Sequence, residues 1–192
     1  IKCYCSERHN IEIRIYESGK IYFLGSLHKL YNNGDHNHDQ FDSNKLDEVL
    51  IQLNDEYGIR PVNLRIENLE FGVNISPPLN TKSILDHLLN HKNKEFTQVM
   101  NDKKGHYKQC EHQQFIIKVY DKGKQYKTES DILRIEIKQR NWSLFRIKYG
   151  IVTLQDFLEH DKRMFVQLLL KYWKESVFYD PTIRNPKVMI KY

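Results

Sequence analysis

The chain has 192 residues and a formal net charge of +5, with 40% apolar, 29% charged and 12% aromatic residues. That length suits one ordinary domain, and the aromatic content supplies a real core, which excludes wholesale disorder. The apolar runs all fall well short of the roughly 18 residues of a membrane span, so no membrane partner is expected, while the mild basic balance permits a nucleic-acid partner.

In chain order, Cys3 and Cys5 open a strand-like stretch. Ile11 to Tyr16 alternates apolar and polar residues at period two and reads as a half-buried strand; Glu17-Ser18-Gly19-Lys20 is turn chemistry, and Ile21 to Leu27 completes a hairpin. Tyr31 to Asp42 is a polar loop. Ser43 caps a helix that carries Leu46, Val49, Leu50, Leu53 and Tyr57 on one face and stops at Gly58. Leu64 to Ile75 alternates again as a long strand. A second amphipathic helix opens near Asn80 or Thr81 and buries Ile84, Leu85, Leu88 and Leu89; His91 to Gln114 then reads as a polar loop carrying one short strand. Phe115 to Tyr120 and Ile132 to Lys138 are two more strands, joined by the charged segment Asp121 to Asp131. Thr153 caps a third helix, Phe165 to Trp173 mark a fourth, and Asp180-Pro181 closes the compact region. This order predicts an α+β fold, a mainly antiparallel sheet with helices on one face, in one domain over residues 1–180 followed by a tail, 181–192. Each half supplies strands and then a helix, which would fit two related half-domains.

Three cysteines with no CxxC predict a reducing, cytoplasmic compartment; Cys3 and Cys5 are poorly placed for a disulfide and Cys110 stands alone. No signal peptide is visible, and the chain opens on Ile, so it reads as trimmed. There is no Gly-rich phosphate loop, GxSxG or HExxH, which argues against nucleotide hydrolysis, serine hydrolysis and zinc proteolysis.

Three strands carry candidate chemistry. On Leu64 to Ile75, the face that holds Leu69, Phe71, Val73 and Ile75 should meet the core, and the other sets Asn68, Glu70 and Asn74 in a row around Gly72. Oxygen ligands beside a glycine gap suit a hard cation, and a solvated face is the plainer reading. On Ile132 to Lys138, Leu133, Ile135 and Ile137 face the core, and Glu136 lies between Arg134 and Lys138 on the other side. Glu136 could join Glu70 in holding Mg²⁺ or Mn²⁺, or it could simply pair with bases across the strands. On Phe115 to Lys122, Tyr120 stands between Lys118 and Lys122; ammonium groups or a metal lower a phenol's pKa toward that of a nucleophile, although strands favour tyrosine in any case. His36 and His38, two apart in the Gly/Asp/Asn loop, also invite a metal reading, and His28 reads as a packed or hydrogen-bonding residue near Lys29.

The segments GSLHKLYN (Gly25 to Asn32), LEFGVNI (Leu69 to Ile75), VYDK (Val119 to Lys122), LRIEI (Leu133 to Ile137) and IVTLQDFL (Ile151 to Leu158) occur in this order. Together they resemble the rolling-circle replication initiators of phages and plasmids, including the filamentous-phage replication proteins and the plasmid replication-initiation factors. The resemblance runs from about Ile11 to about Asp180. It implies a DNA partner, single-stranded or an origin hairpin, and leaves room for a homodimer. It also implies a metal-dependent nickase and strand transferase whose tyrosine forms a 5′-phosphotyrosyl link and frees a 3′-hydroxyl. By that resemblance Glu70 and Glu136 would hold the metal, and Lys122 matches the lysine after YD; Tyr120 and Tyr126 are the tyrosines nearest in sequence to the expected nucleophile, and Tyr120 is taken for that role. Lys118, Arg134 and Lys138 would meet phosphate, and Lys29 the DNA backbone. Glu70 stands where the family usually has Asp. Ile135 stands where the plasmid branch places its tyrosine, so either the nucleophile is elsewhere or the scaffold binds DNA without chemistry.

Overall fold

The structure, a computed structural model, describes residues 3–8, 10–99 and 107–179, with side chains from residue 10 onward. The tail expected over 181–192 lies outside the described residues. The chain divides into two compact units, one running to Arg65 and including Thr153–Leu158, the other holding Ile66–Val152 and the segment after Leu158.

In the first unit, β1 (Cys3–Arg8), β2 (Ile11–Tyr16) and β3 (Ile21–Gly25) form an antiparallel meander in the order β1-β2-β3. The predicted second strand ends at Gly25, because Ser26 caps a short helix, α1 (Leu27–Tyr31), by accepting from Lys29 N. Helix α2 (Ser43–Tyr57) is capped by Asp42, one residue before the expected Ser43: the Asp42 carboxylate accepts from Lys45 N at 3.1 Å. Gly58 ends this helix in the left-handed region, φ 65°, as its sequence position predicts. Ile11, Leu30, Val49 and Leu53 form the buried core, with Phe23, Tyr31 and Tyr57 packed around it.

The second unit is built on a five-stranded antiparallel sheet in the order β4-β10-β9-β8-β7. The strands are β4 (Leu69–Ile75), β7 (Thr97–Gln98), β8 (Tyr107–Glu111), β9 (Phe115–Asp121) and β10 (Leu133–Gln139). A smaller sheet joins β5 (Leu88–His91) to β6 (Lys94–Glu95) and β11 (Ser176–Phe178). The helices are α3 (Thr81–His87), α4 (Lys122–Tyr126), α5 (Ser143–Tyr149) and α7 (Arg163–Lys174). Alternation puts Ile117, Val119, Leu133 and Ile135 on one face of the large sheet. There they form a core with Leu85 of α3, Leu88 and Cys110, against which Leu169, Tyr172 and Trp173 of α7 pack. The fold is therefore α+β, a mainly antiparallel sheet with helices.

Several local expectations change. The strand predicted from Leu64 begins at Leu69: Leu64 O and Arg65 pair instead with Leu154 N and Thr153, beside α6 (Leu154–Glu159). Thr153 does cap α6, through a reciprocal box in which Asp156 Oδ2 accepts from Thr153 N at 2.7 Å and Thr153 Oγ1 from Asp156 N at 3.2 Å. The helix predicted through Leu89 stops at His87, and the next residues join a sheet as β5. The His91 to Gln114 stretch carries three strands among the described residues rather than one. Among the described residues no helix is long and apolar enough to cross a membrane.

Candidate functional site

On the face of the large sheet opposite its apolar core, antiparallel pairing sets Asn74 across from Arg134 and Arg134 across from Tyr120. In the next row Gly72 lies opposite Glu136 and Glu136 opposite Lys118; beyond it Glu70 lies opposite Lys138. The predicted face assignments for Glu70, Glu136, Lys118 and Tyr120 thus converge on one cluster, because residues two apart on a strand share a face.

Gly72 makes the cluster possible. A Cβ there would run into the Ile135 carbonyl oxygen and come within 2.8 Å of Glu136 Cα, both backbone atoms. With no side chain at that position, Glu70 and Glu136 approach each other diagonally and share a hydrogen bond. Lys118 Nζ lies between them, 2.6 Å from Glu70 Oε1 and 3.2 Å from Glu136 Oε1. Glu136 Oε2 accepts from Arg134 Nε at 3.1 Å and from the Tyr120 hydroxyl at 3.2 Å, and Arg134 Nη1 also donates to Asn74 Oδ1 at 3.2 Å. Tyr107 packs edge-on against Tyr120, ring centres 5.6 Å apart.

Electrostatics separate the two carboxyls. Loss of hydration and the neighbouring Glu136 push Glu70 up to about 7, against the pull of Lys118. Burial works against charge on Glu136 as well, yet the hydrogen bond from Glu70 and the Arg134 and Lys118 charges outweigh it and hold Glu136 well below the usual carboxylate range. A proton taken up by the pair therefore goes to Glu70 rather than to Glu136. Burial and the Glu136 charge push the Tyr120 phenol above its ordinary value, and Tyr120 is 3% exposed. The Tyr120 phenol is thus not an activated nucleophile in this arrangement.

The donor set fits a hard divalent cation in type, since Glu70, Glu136 and Asn74 are all oxygen ligands. The place between the two carboxylates is held by the Lys118 ammonium, so a cation there must displace it.

The other expected site residues fall on different elements of the two units. Lys138 sits on the same face, directly across from Glu70. Lys122 opens α4 fully buried, its ammonium 5.6 Å from the ring centre of Tyr120 and 5.5 Å from that of Tyr126. Lys29 belongs to α1, in the first unit. There His28 Nε2 lies 2.6 Å from Asp39 Oδ1, as suits a hydrogen-bonding residue, and His36 Nδ1 is 3.3 Å from the same oxygen.

A second cluster escapes the sequence reading. His91 closes β5, Cys110 lies in β8 and His112 follows it, and their ligand atoms lie within 4.8 Å of one another. This group could hold a metal ion. His91 Nδ1 is 2.8 Å from His112 Nε2, which is 3.5 Å from Cys110 Sγ. Burial lowers the pKa of His91 and His112 and raises that of the Cys110 thiol. The spacing Cys110-x-His112 on a strand is the one signal in the sequence; nothing local ties it to His91. Comparison with protein-family models, curated proteins and solved structures finds no match to this chain.

Proposed function

We propose that the chain is a cytoplasmic DNA-binding replication initiator of the rolling-circle type, which nicks and rejoins one strand through Tyr120. One observation carries the reading: Glu70, Lys118, Glu136 and Tyr120, drawn from three strands, meet on one sheet face, with the Tyr120 hydroxyl donating to Glu136. In the reaction the Tyr120 oxygen bonds to phosphorus, the bond from phosphorus to the 3′-oxygen breaks, and the phenol proton leaves through Glu136. The 3′-oxygen takes up a proton as it departs. Arg134 and Lys138 offset phosphate charge on the same face, and Lys118, once displaced from the carboxylates, joins them. Glu70 and Glu136 would hold Mg²⁺ or Mn²⁺, which would supply positive charge to the phosphate and lower the phenol's pKa.

The burial of Tyr120 and the upward push on its phenol favour a second reading, a DNA-binding module without chemistry. Incubation with labelled single-stranded and hairpin DNA in Mn²⁺, followed by denaturing electrophoresis, separates the two. Strand transfer gives a shifted band that resists detergent, disappears with protease and is absent from Tyr120→Phe. The binding module gives no such band and retains salt-sensitive binding in a native gel, with a log–log slope of roughly 0.7–0.9 per neutralised phosphate. Absence of both would reject a DNA function.

A further inference from the structure

We propose that His91, Cys110 and His112 form a soft-metal site that takes Zn²⁺ and staples the two sheets of the second unit together. His91 belongs to the small sheet and Cys110 to the large one, so a shared ion would cross-link them. His91 and Cys110 are fully buried.

The spacing suits zinc. With Zn–N of about 2.0–2.1 Å and Zn–S of about 2.3 Å at the tetrahedral angle, a ligand sulfur and nitrogen lie about 3.5 Å apart and two nitrogens about 3.3 Å apart. Cys110 Sγ and His112 Nε2 are already 3.5 Å apart. His91 Nδ1 and His112 Nε2 are 2.8 Å apart, a hydrogen-bond length, so the metal replaces the shared proton and opens the pair slightly. The outer partner is also in place: Glu175 Oε2 lies 3.2 Å from His91 Nε2, the ring nitrogen facing away from His112. A carboxylate on the far nitrogen fixes the tautomer and the ring orientation of a metal-bound histidine. A thiolate with two imidazoles selects zinc over the hard cations expected at Glu70 and Glu136, and three protein ligands leave the fourth position to water.

The test uses the full chain, stripped with a chelator and titrated with Co²⁺ as a spectroscopic probe and then with Zn²⁺. The expected result is one equivalent of Co²⁺ bound, with a thiolate-to-cobalt charge-transfer band and the visible bands of a four-coordinate ion, displaced by Zn²⁺. Cys110→Ser should abolish the charge-transfer band, and the double variant Cys3→Ser/Cys5→Ser should keep it. Glu175→Gln should keep the band and weaken binding about 10–100-fold. Where Cys110→Ser fails to fold, His112→Gln, at a half-exposed position, replaces it and should weaken binding at least tenfold with an unchanged circular dichroism spectrum. Failure to bind one equivalent, binding unaffected by His112→Gln, or a band that survives Cys110→Ser and vanishes in Cys3→Ser/Cys5→Ser would each overturn the proposal.

Discussion

Gly72 stands directly opposite Glu136 in the antiparallel pair of β4 and β10, and its missing side chain is the space through which Glu70 reaches Glu136. Gly72→Ala would press a methyl group on the Ile135 carbonyl and the Glu136 backbone, neither of which can rotate away. The expected cost is about 1–3 kcal/mol of stability, as for other overpacked sites. Denaturant unfolding checks it; an unchanged midpoint would mean that the strands have room to separate.

Lys118 bridges two carboxyls while only 12% of its side chain is exposed. Lys118→Met should therefore cost about 3 kcal/mol, because it leaves the buried charge of Glu136 with Arg134 as its remaining cation partner in the cluster. Adding Glu136→Gln to that variant should recover part of the loss. A double-mutant cycle measures the coupling, and purely additive losses would show that the pair is not coupled.

Tyr120→Phe divides stability from chemistry. Glu136 keeps Arg134 and Lys118 when the hydroxyl is removed, so the variant should lose only about 1 kcal/mol. The covalent DNA adduct should vanish all the same. An adduct that persists would assign the nucleophile to another tyrosine.

In the first unit Asp39 accepts from His28 Nε2 at 2.6 Å, Asn32 Nδ2 at 2.9 Å and Lys45 Nζ at 3.3 Å. Burial alone would raise its pKa; the three donors overcome this and lower it from 3.8 to about 2. The stabilisation this gives is complete above about pH 4 and is lost as pH falls toward about 2. Asp39→Asn should cost about 1–2 kcal/mol near neutral pH, a figure reduced for solvent screening. Unfolding midpoints of the two proteins should draw together in acid. A gap that stays constant down to about pH 2 would place the effect in packing rather than charge.

Much of the second unit's sheet was legible because β9 is a short, largely apolar run and period-two alternation is clear in the sequence of β10. Leu133, Ile135 and Ile137 are buried as their spacing predicts, and Glu136 falls on the other face with Lys118 and Tyr120. Helix α5 was not legible: Phe145 is its buried residue while Leu144 and Ile147 are 51% and 85% exposed, so it has no apolar stripe to read. Nor was β5, whose Leu88 continues the helical spacing of Ile84 and Leu85 and is drawn into a strand by pairing with β6 and β11. The Glu70–Glu136 convergence follows from faces together with register, whereas the His91–Cys110–His112 group depends on how two sheets lie together, which no local period encodes.

Strand order also sets the sequence in which the charges of the cluster can meet. Lys118 and Glu136 are 18 residues apart, and Lys118 and Glu70 are 48 apart. Closing the shorter loop costs less chain entropy, so β9 and β10 can pair before β4 arrives. In that half-built sheet Lys118 and Arg134 outnumber Glu136, and the exposed side of β10 carries net positive charge. The acidic Glu70 strand then docks against an attracting field at close range. The last strand to join brings the second carboxyl beside Glu136, so the push on Glu70 toward its protonated form is a late event in folding.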